Sequence, residues 1–171
     1  MWSYNNPVRV LFGNDGLASI APLIDGRPYA LVTYADAPFG ALAEQVTKEA
    51  GKPLIVVNDI APNPDCKLLS EQSARFASLP SEPEVIVALG GGSVIDSAKV
   101  FAAAAGDFSK VLHYLETGAG GSALSAIPII AVPTTAGTGS EVTSWATVWD
   151  EERGRKFLPC ARNPVSRNRR Y

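Results

Sequence analysis

The sequence predicts an α/β protein built on a parallel sheet with helices on both faces, and three observations carry that reading. Short β-rich runs alternate with amphipathic stretches at the spacing of βαβ units. The run Glu84–Leu89 is apolar at every position after its first, as a strand covered on both faces in the middle of a parallel sheet must be. The chain has 171 residues, 46% of them hydrophobic and 19% charged, which suits one packed domain and excludes disorder over most of its length. Right-handed crossovers between parallel strands then distribute the helices to both sides.

The elements follow in chain order. Val8–Phe12 reads as a strand closed by Gly13-Asn14-Asp15-Gly16, and Leu17–Ile24 as a short helix with Asn14 or Asp15 as its cap. Tyr29–Thr33 is a strand, and Phe39–Ala50 a helix that Gly51 ends. Leu54–Val57 is the third strand. Pro62-Asn63-Pro64 makes a rigid turn, after which Asp65 can cap a helix running to Ser78. The buried strand Glu84–Leu89 leads to a helix over Ser93–Ala105 and a shorter one over Lys110–Glu116. Gly118–Ser122 is a flexible loop and Ile127–Val132 the fifth strand. A polar run, 133–140, precedes a β-branched and aromatic stretch, Val142–Trp149.

Composition excludes several functions. The longest apolar runs, 85–89 and 127–132, fall far short of the roughly 20 residues of a membrane span. The opening Met1–Asn6 has neither a positive n-region nor an apolar h-region, so the expected location is cytoplasmic. Cys66 and Cys160 show no CxxC spacing and read as free thiols, and one histidine, His113, makes a poor start for a transition-metal site. Charge is uneven: residues 1–152 hold all 17 acidic side chains and eight basic ones, whereas 153–171 hold seven basic and no acidic ones. An acidic body does not suit nucleic acid, and the basic end, without interleaved aromatics, reads as solvated.

Two segments carry chemistry. In Val85–Lys99 a buried strand runs into Gly90-Gly91-Gly92, and a helix opens at Ser93. Glycines permit close backbone approach or positive φ, and the amides of a new helix form an anion site. The spacing is neither GxGxxG nor a Walker A loop. The alternative is a tight turn in which Ser93 and Asp96 form a capping box, with Asp96 and Lys99 a surface pair. The second segment, Pro133–Thr143, also follows an apolar strand and is dense in hydroxyls and glycine. Two small-residue loops at the carboxyl ends of two strands make one crevice for a dinucleotide.

Together, Gly90-Gly91-Gly92-Ser93-Val94-Ile95-Asp96-Ser97-Ala98-Lys99 and Pro133-Thr134-Thr135-Ala136-Gly137-Thr138-Gly139-Ser140-Glu141-Val142-Thr143 resemble the iron-containing (group III) alcohol dehydrogenases. The resemblance extends from Asn6-Pro7 and Phe12-Gly13 through Pro62-Asn63-Pro64 to Arg155-Lys156-Phe157. Trp2, Tyr4 and Trp145–Asp150 resemble a branch tied to phosphonate metabolism, whose members are thought to reduce phosphonoacetaldehyde. It implies a Rossmann-like dinucleotide-binding domain over 1–157, a basic tail over 158–171 that is atypical of the family, and no C-terminal helical metal-binding domain. It further implies NAD or NADP as cofactor, a small alcohol or aldehyde as substrate, no nucleic-acid or membrane partner, and a homodimer.

Residue by residue, the resemblance implies that Gly91, Gly92 and Ser93 hold the pyrophosphate and that Asp96 contacts the cofactor. Thr134, Thr135 and Thr138 line its adenosine and phosphate side, with Thr143 beside them. Asn63 and Lys156 match further cofactor positions, although Asn63 between prolines also suits a plain turn and Lys156 a solvated basic run. Two departures stand out. Val32-Thr33-Tyr34 lacks the acidic residue that many NAD-preferring members carry after this strand, and Asp36 follows close behind, favouring NAD. The family's divalent metal, iron or zinc, takes an Asp and three His, a set this chain with His113 alone does not supply. Two further classes stay open: a dehydroquinate-synthase-like lyase, which uses NAD without net redox change, and a non-catalytic nucleotide-binding module.

Overall fold

The computed structural model describes residues 6–14 and 16–157. Its elements are α1 (Ile20–Ile24), β1 (Tyr29–Val32), α2 (Phe39–Ala50), β2 (Ile55–Val57), α3 (Cys66–Ala77), β3 (Val85–Gly90), α4 (Gly92–Ala104), α5 (Phe108–Thr117), β4 (Ile129–Pro133), β5 (Val148–Asp150) and β6 (Arg155–Phe157). The first four strands form one parallel sheet in the order β2-β1-β3-β4. A separate antiparallel pair, β5-β6, matches Val148 with Phe157 and Asp150 with Arg155.

Alternation along the strands fills both faces. On one, Ala30, Val32, Ile86 and Ala88 pack with Leu69, Phe76, Ile95 and Phe101 of α3 and α4. On the other, Tyr29, Leu31, Val85, Val87 and Leu89 meet Ile20, Ile24 and Val46 of α1 and α2. All six residues of β3 are buried, the burial that its unbroken apolar run requires. From β1 the chain crosses through α2 to β2, and from β3 through α4 and α5 to β4, so the crossovers run in opposite directions on opposite faces. The carboxyl ends of β1 and β3 part at this switch point and leave a crevice.

Local chemistry sets the boundaries. Asp65 caps α3 by accepting the Lys67 amide at 2.8 Å. Gly51, at φ +84°, closes α2 with its amide on the Thr47 carbonyl. The helix expected over 110–116 starts earlier, at Phe108, because Asp107 accepts the Ser109 amide and caps it there.

Two elements depart from expectation, and a third segment has little regular structure. Residues 8–12 form no strand, since no neighbour offers them a ladder, and Val8, Val10, Leu11 and Phe12 stand exposed. The helix over 17–24 begins as a 3-10 turn, Gly16–Ser19, and turns α-helical at Ile20, which places Pro22 in the first turn, where its missing N–H costs nothing. Val142–Trp149 is a 3-10 turn (Ser140–Val142) and an irregular segment leading into β5. The tail 158–171, the Trp2 and Tyr4 positions, the Asp15 cap and Cys160 lie outside the described residues. No helix among the described residues is long and apolar enough to cross a membrane.

Candidate functional site: a cleft at the switch point

A cleft of about 670 Å³ opens where β1 and β3 part. Its floor is the turn from β3 into α4, and its walls are the segment after β4 and the β5-β6 hairpin. Of the ten residues expected to bind cofactor, Asn63, Gly91, Gly92, Ser93, Asp96, Thr135, Thr138, Thr143 and Lys156 line it. Thr134 does not; its amide donates to the Gly90 carbonyl at 3.1 Å and ties the threonine loop to the glycine turn.

The glycines are needed for space rather than for torsional freedom. None of Gly90, Gly91 and Gly92 has positive φ. A Cβ at Gly90 would stand 2.5 Å from the Val94 Cγ2 atom, one at Gly91 3.0 Å from the Thr135 hydroxyl, and one at Gly92 3.2 Å from the Thr138 methyl. The threonine loop therefore lies directly on the glycine turn. Helix α4 starts at Gly92 with no side-chain cap, so its first-turn amides, which have no intrahelical partner, remain available at the cleft floor.

This geometry overturns the capping-box alternative. Ser93 lies inside α4, and its hydroxyl accepts the Asn63 amide at 3.3 Å across the cleft. Asn63 holds φ +57°, a left-handed conformation asparagine tolerates, so it shapes the turn and lines the cleft at once. Nor is Asp96–Lys99 a surface pair: the 3.4 Å contact joins side chains only 13% and 16% exposed. One Asp96 oxygen also accepts the Ser140 hydroxyl, and the other accepts the Thr147 amide at 2.8 Å. Lys99 donates to the Ser140 hydroxyl at 2.9 Å, to the Thr143 hydroxyl at 3.5 Å and to the Trp145 carbonyl. Burial pulls the Lys99 ammonium below the usual lysine range, against the opposing pull of Asp96 and Glu141.

Lys156 is not an idle solvated lysine. Its ammonium sits 4.9 Å from the centre of the Trp149 ring, a cation–π distance, at the cleft wall. The hairpin carrying both residues rests on the start of α3: the Trp149 amide donates to Pro64 at 2.8 Å and the Glu151 amide to Asp65 at 3.1 Å.

Sequence reasoning missed Tyr34, Pro64, Ser140, Trp145, Thr147 and Trp149 as lining residues. Tyr34 follows β1 at the switch point, and strand order, once known, would have found it. Asp36 is not among the lining residues, whereas Tyr34 is, with its ring edge-on to Phe39 at 5.0 Å. The carboxylate invoked in favour of NAD thus lies off the cleft. Among the described residues no group of three or more His, Cys, Asp or Glu could hold a metal, and His113 stands exposed on α5. The lining set of amides, hydroxyls, one tied carboxylate and the Lys156 cation is suited to an anionic ligand, not to a transition metal.

The family model for iron-containing alcohol dehydrogenases matches residues 7–165, reaching past Phe157 into the segment expected to be atypical. A choline dehydrogenase of Bacillus subtilis is 42% identical over 112 residues, which cover 64% of this chain and 27% of that protein. A phosphonoacetaldehyde reductase of Streptomyces viridochromogenes is 39% identical over 110 residues, covering 61% and 27%. Among solved structures, the sulfoacetaldehyde reductase of Bifidobacterium kashiwanohense in complex with NAD+ superposes with a TM-score of 0.79 at 29% identity, over 94% of this chain and 43% of that one. The chain thus spans less than half the length of these relatives.

Proposed function

The chain belongs to the iron-containing alcohol dehydrogenase family, and from that premise we propose that its cleft binds a nicotinamide dinucleotide, NAD or NADP, for hydride exchange with a small alcohol or aldehyde. The packing of Thr135 and Thr138 onto Gly91 and Gly92 at the switch point carries this reading. It fuses two donor-rich loops into one anion-binding floor, at the place where open α/β sheets take their ligands.

In this reading the first-turn amides of α4 at Gly92 and Ser93 hold the pyrophosphate, with the helix dipole adding to the attraction. Thr135, Thr138 and Thr143 offer hydroxyls to phosphate and ribose, and Asn63 closes the opposite wall. Lys156 supplies a cation that leaves the Trp149 face for a phosphate oxygen. The reaction needs hydride from nicotinamide C4 and a polarised carbonyl, and in the family a divalent metal acts as the Lewis acid. The described residues include no ligand set that fits that metal. The cytoplasm and a homodimer complete the proposal. The relatives' names point to different substrates, choline and phosphonoacetaldehyde among them, and the class common to them is a small alcohol or aldehyde.

Calorimetric titration of the purified chain with NAD+ and NADP+ tests the reading. Gly92→Val, whose Cβ would press on the Thr138 methyl from 3.2 Å, should weaken binding by about tenfold or more, roughly 1.4 kcal/mol. Gly13→Ala, where a Cβ meets nothing within 4 Å, serves as the control. Equal affinities across the three proteins would contradict the assignment.

A further inference from the structure

We propose that Lys99 is a positioning residue of this cleft: its ammonium fastens the segment from Ser140 to Thr147 onto α4 and so fixes the wall against which a dinucleotide lies. The proposal rests on the dinucleotide reading above.

The segment between Gly139 and β5 contributes Ser140, Thr143, Trp145 and Thr147 to the cleft. Beyond the three-residue turn Ser140–Val142 it has no regular structure before Val148. Beside the burial of Ala146 in the core, its fixings include side-chain bonds to two residues on one face of α4. Asp96 accepts the Ser140 hydroxyl and the Thr147 amide, and Lys99 donates to Ser140, Thr143 and the Trp145 carbonyl. An ammonium has three protons, and here four acceptors share them, three along the segment and Asp96 on the helix. Lys99 is thus the group that joins the middle of the wall, Thr143 and Trp145, to the helix whose first turn forms the floor.

Lys99 also keeps Asp96 paired. With the Asp96 side chain only 13% exposed, removing the ammonium leaves a carboxylate with little water to compensate it, and the segment must move to readmit solvent. The charges facing Lys99 are Asp96 on its own helix and Glu141 on the segment. As pH rises, Lys99 loses its proton below the range of an ordinary lysine, and the joint then loosens although the fold is intact. A merely structural lysine would not couple ligand affinity to its own titration.

The test uses NADH, which survives alkali, with binding followed by its fluorescence between pH 7 and 10.5 on the wild-type chain, Lys99→Met, Lys99→Arg and Ser140→Ala. At pH 7.5, Lys99→Met should bind about tenfold more weakly, roughly 1.4 kcal/mol, with Lys99→Arg within about threefold of wild type. Wild-type affinity should fall as pH rises, and this fall should be smaller in Lys99→Arg, whose charge persists. A folded Lys99→Met with wild-type affinity, or a Lys99→Arg profile that coincides with wild type, overturns the proposal while leaving the dinucleotide reading intact. Where Lys99→Met fails to fold by circular dichroism, Ser140→Ala decides: unchanged affinity overturns the proposal and a loss of several-fold supports it. A wild-type chain that binds neither NADH nor NADPH overturns both.

Discussion

Cys66 shows how position alone sets a residue's chemistry. It opens α3, where burial, reinforced by the charges of Asp150 and Asp65, pushes its thiol up to about 11. At neutral pH it is a thiol, and the thiolate that would react is scarce. Peptide mapping after iodoacetamide treatment at pH 7.5 should find Cys66 almost unmodified, with labelling rising only above pH 10. The linkage has a definite sign: a folded-state value above the unfolded one, 9.0, favours the folded chain below pH 9, and that advantage is lost between 9 and about 11. Thermal scans should therefore show a steeper loss of stability across that window in wild type than in Cys66→Ala. Gly106 is constrained by backbone on two counts. It holds φ +89°, and a Cβ there would lie 2.9 Å from the Ala77 amide nitrogen, which cannot swing aside. Gly106→Ala should cost about 2 kcal/mol, read as a lower urea midpoint with an unchanged slope.

Helix α3 and the β5-β6 hairpin share one carboxylate. Asp65 accepts the Lys67 amide through one oxygen and the Glu151 amide through the other, while Pro64 takes the Trp149 amide. The helix start and the hairpin are thereby locked together, and the hairpin brings Trp149 and Lys156 to the cleft. Asp65→Ala removes a helix cap, worth about 1 kcal/mol, together with one of the hairpin's two main-chain anchors. The expected outcome is a modest loss of global stability and a larger loss of amide protection at Trp149 and Glu151 in hydrogen exchange. Equal loss throughout would show that the hairpin does not depend on this residue. The sequence marked Asp65 as a cap from its place after Pro64, but the second bond spans 86 positions, beyond any local pattern.

For the whole molecule, the question is how much of a dehydrogenase these residues make. The cleft offers amides, hydroxyls and one lysine, Lys156, and the described residues include no metal-ligand set. The purified chain, supplied with NADH, a short aldehyde and ferrous or zinc ion, should therefore show no metal-dependent NADH oxidation while still binding the dinucleotide. Turnover that disappears when Ser93 or Asp96 is replaced would show that a complete site is assembled from this chain. A lyase reading is disfavoured by the family match, and binding without turnover would leave the chain acting as a nucleotide-binding module.

What the sequence determined by itself was whatever depends on neighbours along the chain. The unbroken apolar run of β3, the 12 residues of α2 with Gly51 behind them, and the Asp65 cap are each fixed by contacts within a few residues, and each was legible. So was the floor of the cleft, a glycine turn between a buried strand and a helix. The tertiary structure alone decided what depends on distant pairs. It set Asp96 and Lys99, which along the chain also suit a surface pair, at the joint with Ser140, more than 40 positions away, and it put Tyr34 rather than Asp36 at the cleft. It left residues 8–12 without a strand, because a strand exists only where a neighbouring edge completes its hydrogen bonds, and strand order is a property of the folded chain.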